Sequence, residues 1–295
     1  MKAVQARTRI ALKNILFATD FSAAADAAAP FAIQIARSYG AKVYGLHVNP
    51  YDDYTSAAPE AWAMMADATE KETKEHARRL DEQLKGIEHE VVIGQGNIWE
   101  ATAKLIKQEE IDLIVLGTRG RTGLGKALLG SVAEQILRQA PCPVLTVGPH
   151  VTARPYVNGQ PEEAAKLREI LYATDLAADF PVAAPYAISL AQENQAHLAL
   201  LYVIEEPQQP GEIAEMKVGK LRQLVPQDAD LWCEPHYLVE QGIPVEKILE
   251  AADRRNADLI VLGAHPARWL ATHVNAGTVH KVVSEAKCPV LTVHG

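Results

Sequence analysis

The feature that most constrains this chain is that it carries one pattern twice. Ile15-Leu16-Phe17-Ala18-Thr19-Asp20 returns 155 residues later as Ile170-Leu171-Tyr172-Ala173-Thr174-Asp175, and Leu46-His47-Val48 returns at the same spacing as Leu201-Tyr202-Val203. Asp112-Leu113-Ile114-Val115-Leu116-Gly117 recurs unchanged 146 residues on, at Asp258 to Gly263, and so does Cys142-Pro143-Val144-Leu145-Thr146-Val147, at Cys288 to Val293. The two spacings differ by nine, so the first copy is nine residues longer; Gly96 matches Gly242 at 146, which puts the extra residues between Val48 and Gly96. A period this long marks a duplicated domain, because solenoid repeats run to roughly 20–50 residues. The copies are assigned to residues 1–148 and 168–295. The stretch 149–167 between them, with Pro149, Pro155, Gly159 and Pro161, has turn punctuation but no apolar periodicity, and reads as a linker.

Within the first copy, residues 14–19, 42–48, 89–93, 112–117 and 143–147 are apolar runs of strand length. Helical periods lie between them, over 22–39, 59–86, 97–109 and 131–139. Ala77, Leu80, Leu84 and Ile87 make an amphipathic stripe, and Glu70-Lys74, Glu75-Arg79 and Asp81-Lys85 are pairs on a solvated helix face. Strands buried along their whole length, alternating with helices, predict an α/β fold with a parallel sheet covered on both faces. The expectation is two tandem Rossmann-like, doubly wound domains, each with a five-stranded parallel sheet. The last strands, Val144–Val147 and Val290–Val293, would leave open edges unless they meet, so the copies should pack as a pseudo-dimer about a pseudo-two-fold axis. A further homodimer of the tandem chain is compatible with that arrangement.

Composition removes several function classes. Twenty-nine basic against 37 acidic residues give a net charge of −8, without the global field of a nucleic-acid binder. The longest apolar stretch, around Leu198 to Ile204, falls far short of the roughly 20 residues that span a bilayer. The first dozen residues carry Lys2, Arg7 and Arg9 without an apolar segment, so no signal peptide is read and a cytoplasmic location is expected. Cys142, Cys233 and Cys288 form no CxxC and no disulfide framework; Cys142 and Cys288 read as buried inert thiols, and Cys233 has no activating base in sequence.

In an open α/β sheet, ligands bind beyond the carboxyl ends of the strands at the topological switch point. Ala18-Thr19-Asp20, Val48 and the segment from Gly117 to Ser131 all fall there, and the last holds five glycines, two arginines and a lysine. Glycines admit close backbone approach, and the helix opening at Ser131 offers N–H groups and a dipole suited to phosphate, with the Ser131 hydroxyl available to cap or bind. Gly120-x4-Gly125-Lys126 resembles a P-loop, but Ala127 stands where a hydroxyl should hold Mg²⁺. No GxGxxG is present, because Leu128 replaces the third glycine. Both are chance matches in a glycine-rich loop.

Gly117-x2-Gly120-x9-Gly130-Ser131, between Asp-Leu-Ile-Val-Leu-Gly and Cys-Pro-Val-Leu-Thr-Val, resembles the nucleotide motif of the universal stress protein family. Ile15 to Ser22 and Leu46-His47-Val48 resemble its first two strands, and the likeness covers nearly all of both copies. It implies an ATP site in the first copy. Ala18, Thr19, Asp20 and Val48 would meet adenine and ribose, and Gly117 and Arg119 would border ribose and phosphates. Gly120, Gly130, Ser131 and Val132 would wrap the phosphates, with Mg²⁺ or Mn²⁺ riding on phosphate oxygens. Arg121 and Lys126 are weaker candidates, read as easily as solvated loop charges.

The second copy departs in its loop. Pro266 stands at the second glycine's place, Gly277-Thr278 arrives one residue late, and Trp269 could fill the nucleotide's space. One ATP per chain is therefore expected, with at most weak adenosine binding by the second copy. His265, His273 and His280 lack ligand spacing with an acidic or Cys partner, so no metal site is read. Trp62, Met64 and Met65 read as ordinary helix packing.

The resemblance implies a stress-response, nucleotide-binding regulatory protein that presents its ATP state to protein partners. No nucleophile or general base is positioned beside the loop, so hydrolysis would be slow at most. The alternatives are an adenylate-forming enzyme, which would want an SGGxDS or HxGH signature that Ala18-Thr19-Asp20-Phe21-Ser22 lacks, and a structural pseudo-dimer without nucleotide.

Overall fold

The chain is seen in a computed structural model, which describes residues 10–49, 59–118, 129–151, 165–176, 182–205, 210–227, 233–264 and 277–294. The first copy runs β1 (Asn14–Ala18), α1 (Ala23–Tyr39), β2 (Lys42–Asn49), α2 (Pro59–Gln83), β3 (His89–Gln95), α3 (Ile98–Gln108), β4 (Leu113–Gly117), α4 (Ser131–Gln139) and β5 (Val144–Val147). The second runs β6 (Glu169–Ala173), α5 (Ala184–Asn194), β7 (His197–Ile204), α6 (Pro210–Leu224), β8 (His236–Gln241), α7 (Pro244–Arg255), β9 (Leu259–Ala264), α8 (Thr278–Glu285) and β10 (Val290–His294). The extra length of the first copy falls in the β2–β3 connection, where α2 has 25 residues against 15 in α6. Trp62, Met64 and Met65 lie in the first turns of α2, and their side chains are outside the described residues.

Each copy forms a parallel sheet in the order 3-2-1-4-5. The two join edge to edge, giving one ten-stranded sheet, β3-β2-β1-β4-β5-β10-β9-β6-β7-β8. The seam is the only antiparallel pairing among the described strands: Val144 faces Thr292, Leu145 faces Leu291 and Thr146 faces Val290. Because these residues are repeat equivalents, a pseudo-two-fold axis passes through the Leu145–Leu291 pair. Thr146 Oγ1 donates to the Val290 carbonyl across the seam at 3.1 Å.

The sheet separates two apolar cores, and each runs through both domains. One gathers Ala28, Ala32, Leu80 and Leu84 of α1 and α2 with Ala187, Leu190 and Leu221 of α5 and α6. The other gathers Leu105, Ile136 and Leu137 of α3 and α4 with Ile248, Val282 and Val283 of α7 and α8. On the α1/α5 face, an apolar crevice at the seam is lined by repeat equivalents in pairs, among them Leu12 with Leu167, Phe31 with Tyr186, Ile35 with Leu190, and Leu145 with Leu291. The seam is continuous core and not a hinge between two solvated surfaces.

The unchanged Asp-Leu-Ile-Val-Leu-Gly run has a structural use at its first residue. Asp112 Oδ2 accepts from the N–H groups of Lys13 and Asn14 at 2.7 and 3.0 Å. Asp258 Oδ2 does the same for Arg168 and Glu169 at 2.7 and 3.1 Å. One carboxylate thus ties the start of the first strand to the fourth in each domain, satisfying backbone donors that the sheet leaves over. Cys142 and Cys288 are buried, and burial pushes both thiols up to about 12. No helix among the described residues is long and apolar enough to cross a membrane.

Candidate functional site

The chain leaves β1 for β2 on one side and has β4 on the other, so strand order reverses between β1 and β4. Their carboxyl ends frame a cleft in which the backbone is tightly fixed. Past Ala18, the Thr19 N–H donates to the Leu46 carbonyl at 2.9 Å, extending the β1–β2 ladder by one bond. Thr19 Oγ1 accepts from the Phe21 N–H, and Asp20 Oδ1 accepts from the Ser22 N–H, both at 3.0 Å. These two side-chain turns reverse the chain with Phe21 at φ 58, a left-handed position that non-glycine residues seldom take. Ser22 then caps α1, its Oγ accepting from the Ala25 N–H at 3.3 Å. Asp20 is half-buried at the rim, while Thr19 is 2% exposed.

Opposite, β4 ends in Gly117. A Cβ there would lie 2.5 Å from the Ala24 carbonyl carbon and 2.7 Å from its oxygen, so the first turn of α1 rests on the bare glycine. Thr118 follows, 2% exposed, with a hydroxyl that has no hydrogen-bond partner among the described residues. Its carbonyl accepts from the Gly130 N–H at 2.9 Å, bringing the start of α4 back to the end of β4. Gly130 is the N-cap of α4, with φ −62 and ψ 144, and Ser131 is the first helical residue. Capping by the Ser131 hydroxyl is therefore corrected: the cap position holds a glycine, no side chain engages the first-turn N–H groups from it, and its φ is negative. Those N–H groups are the polar feature that α4 presents at its start. Val132 is half-buried against the α3/α4 core. Val48, near the end of β2, pairs with Gly94 of β3.

Ala18, Thr19, Asp20, Gly117, Gly130 and Ser131 are thus assembled around the β1 and β4 exits, with Val48 on the flanking strand. Arg119 and Gly120 lie outside the described residues, as do Arg121 and Lys126. Two residues at this cleft were not singled out by the sequence. Thr118 carries no motif signal of its own within the segment Gly117 to Ser131. His47 was read only as part of a strand motif, yet it is 6% exposed and its Nδ1 lies 2.8 Å from the Thr19 carbonyl. Tyr202 at the equivalent place in the second copy was the available signal.

The second domain repeats the strand exit. The Thr174 N–H donates to the Leu201 carbonyl at 3.0 Å, and Leu176, at φ 54, donates to Thr174 Oγ1 at 3.1 Å. Asp175 and Gly263 are exposed, however, and among the described residues the nearest atom to a Cβ on Gly263 would be Ala183 Cβ at 3.9 Å. Pro266, Trp269, His265 and His273 lie outside the described residues; His280 is half-buried in α8, its carbonyl accepting from Ser284 Oγ. Among the described residues, no group of three or more His, Cys, Asp or Glu side chains could hold a metal ion.

Comparison with known proteins agrees with this architecture. The profile of the universal stress protein family matches residues 11–148 and again 166–294. A universal stress protein of Methanocaldococcus jannaschii, MJ0531, is 32% identical over 138 residues, covering 46% of this chain and 81% of that protein. One from Mycolicibacterium smegmatis is 25% identical over 295 residues, covering 95% of this chain and 96% of its own length. The crystal structure of a universal stress protein from Archaeoglobus fulgidus superposes with a TM-score of 0.68 at 22% identity, over 95% of this chain and 98% of that one, a likeness of fold. With both halves matched and joined along one sheet, the chain belongs to the universal stress protein family as a tandem, two-domain member.

Proposed function

We propose that the first domain binds ATP in the cleft between the ends of β1 and β4, and that the chain is a nucleotide-binding regulatory protein of the stress response. The observation that carries this reading is the return of the α4 N-terminus to the switch point. The Thr118 carbonyl holds the Gly130 N–H there, and a glycine cap leaves the first-turn N–H groups of α4 without a side-chain acceptor from the cap position. A helix start of this kind favours phosphate through its N–H groups and its dipole.

In this reading adenine and ribose meet Ala18, Thr19, Asp20 and Val48, with Asp20 accepting from a hydroxyl or amine. Gly117 and Arg119 border the ribose and phosphates, and Gly120, Gly130, Ser131 and Val132 enclose the phosphates. A magnesium or manganese ion would ride on phosphate oxygens, which suits a small hard cation that keeps most of its water. The second domain, with Pro266 at the second glycine's place in its loop, would not hold a triphosphate.

Calorimetric titration of ATP into the whole chain tests this. One site per chain is expected. Gly130→Val should remove it, because the backbone at φ −62 accepts valine without strain while the side chain crowds the phosphate position. Gly277→Val, at the matching cap of α8, meets no described atom within 4 Å of its Cβ and should leave affinity unchanged. Two tight sites, or full affinity in the Gly130 variant, would refute the proposal.

A further inference from the structure

Behind the β1 exit lies a cluster that the nucleotide reading does not use. His47 on β2, Phe21 after β1 and His76 on α2 form one cluster of rings: Phe21 and His47 are 4.7 Å apart between ring centres and tilted, Phe21 and His76 5.0 Å apart and stacked, and the two imidazoles 4.4 Å apart, edge to face. Arg79 of α2 lies over the Phe21 ring at 4.5 Å and pairs with Asp26 of α1 at 3.0 Å. Asn49, at the end of β2, donates through Nδ2 to Thr73 Oγ1 at 3.0 Å, which leaves its Oδ1 to accept from His76 Nδ1 at 3.1 Å.

The chemistry of the His47 contact is one-directional. A carbonyl oxygen only accepts, so Nδ1 of His47 carries the proton and donates to Thr19. With that bond, all three polar groups of Thr19 are engaged: its N–H by Leu46, its hydroxyl by Phe21 and its carbonyl by His47. The residue that sets the direction of Asp20 is thereby locked. The second domain has no counterpart. Tyr202 stands at the place of His47 and Leu176 at that of Phe21, and the Tyr202 ring is covered by Lys217 Nζ at 4.0 Å. The imidazole bond and the ring cluster occur in the domain that keeps the glycine-rich loop.

We propose that His47 is a positioning residue for the adenine end of the first domain's nucleotide site, acting through the Thr19 carbonyl, and that Phe21 and His76 tie its ring to α2. The assignment rests on the nucleotide reading above. It predicts that the effect of His47 is confined to one end of the ligand, because the phosphate end is built from β4 and α4.

The test uses the full chain and two probes, ATP and inorganic tripolyphosphate, which lacks the base and ribose. His47→Leu removes the donor and should weaken ATP by roughly tenfold while leaving tripolyphosphate unchanged. His47→Asn, whose Nδ2–H can reach the place of Nδ1–H, should restore ATP affinity. A general structural role would move both probes together, and that outcome, or unaltered ATP affinity in His47→Leu, overturns the assignment. Nitrogen-15 chemical shifts of the ring in the unmodified, ligand-free chain give a second readout that does not depend on the leucine variant folding. Neutral His47 should carry its proton on Nδ1, and a proton on Nε2 overturns the assignment outright. If the unmodified chain binds neither probe, the nucleotide reading itself fails and takes the positioning role with it. If it binds ATP but His47→Leu changes nothing, only the role of His47 falls.

Discussion

Gly117 and Gly263 occupy equivalent places in two nearly identical strands, and the described residues around them differ. At Gly117 the backbone of Ala24 lies where a Cβ would go, at 2.5 Å; at Gly263 the nearest atom among the described residues is a side-chain methyl at 3.9 Å. Backbone cannot rotate aside as a side chain can, so Gly117→Ala must push the first turn of α1 outward. Overpacking of this kind costs about 1–3 kcal/mol. Gly263→Ala meets only an ordinary contact distance among the described residues and should stay within about 0.5 kcal/mol of the parent. Urea unfolding of the two variants checks the contrast, and equal destabilisation would mean that α1 does not rest on β4 as described. The same displacement would shift Ser22 and the turn carrying Asp20, so Gly117→Ala should also weaken the proposed nucleotide site. From sequence both residues read alike, as the glycine ending a buried strand. Only the packing of α1 separates them.

Among the elements, α3 and α7 offer a comparison inside one molecule. Asn97 caps α3, its Oδ1 accepting from the N–H groups of Trp99 at 2.8 Å and Glu100 at 3.2 Å. The equivalent residue ahead of α7 is Ile243, 57% exposed, in a similar extended conformation and with no side-chain cap. Asn97→Ile should therefore cost about 0.5–2 kcal/mol, and Ile243→Asn should recover a similar amount in the second domain. Thermal unfolding of the single variants and of the double exchange tests this; destabilisation by Ile243→Asn would contradict it. Elements such as these were largely legible beforehand, because apolar runs of strand length alternate with helical periods. Their ends were less so. The strong N-cap propensity of serine pointed to Ser131, whereas the chain places the extended φ and ψ of the cap one residue earlier, at Gly130. His47 is hidden for a related reason: within a strand run it looks like any partly polar position, and its partner, a backbone carbonyl, leaves no mark in the sequence.

At the scale of the whole molecule, the seam was foreseeable from edge strands that cannot stay bare, and its register follows from the repeat. Fusion of the two sheets into one was not specified by any residue pattern, since Val-Leu-Thr-Val at a domain's end could equally be covered by a loop. The structure makes the seam a pairing of like with like: the two strands have the same sequence, and Leu145 faces Leu291 at the pseudo-two-fold axis. A fragment comprising residues 1–148 would expose the edge of β5 and one wall of the apolar crevice, including Phe31, Ile35 and Leu145. A second copy of the fragment can supply what the other domain supplied. It brings an identical β5, a Leu145 to meet Leu145, and Phe31 and Ile35 in the places of Tyr186 and Leu190. Such a self-complementary patch closes as a two-fold dimer and does not propagate into a filament. The fragment is therefore expected to sediment as a dimer while the full chain, whose seam is already filled, does not use this surface. Leu145→Lys in the fragment would set two ammonium groups against each other across the axis in an apolar wall, and should yield monomer or unfolded chain. A fragment that is folded, soluble and monomeric without that substitution would show that the seam depends on features particular to the second domain, and that the pseudo-symmetry of the pairing does not determine it.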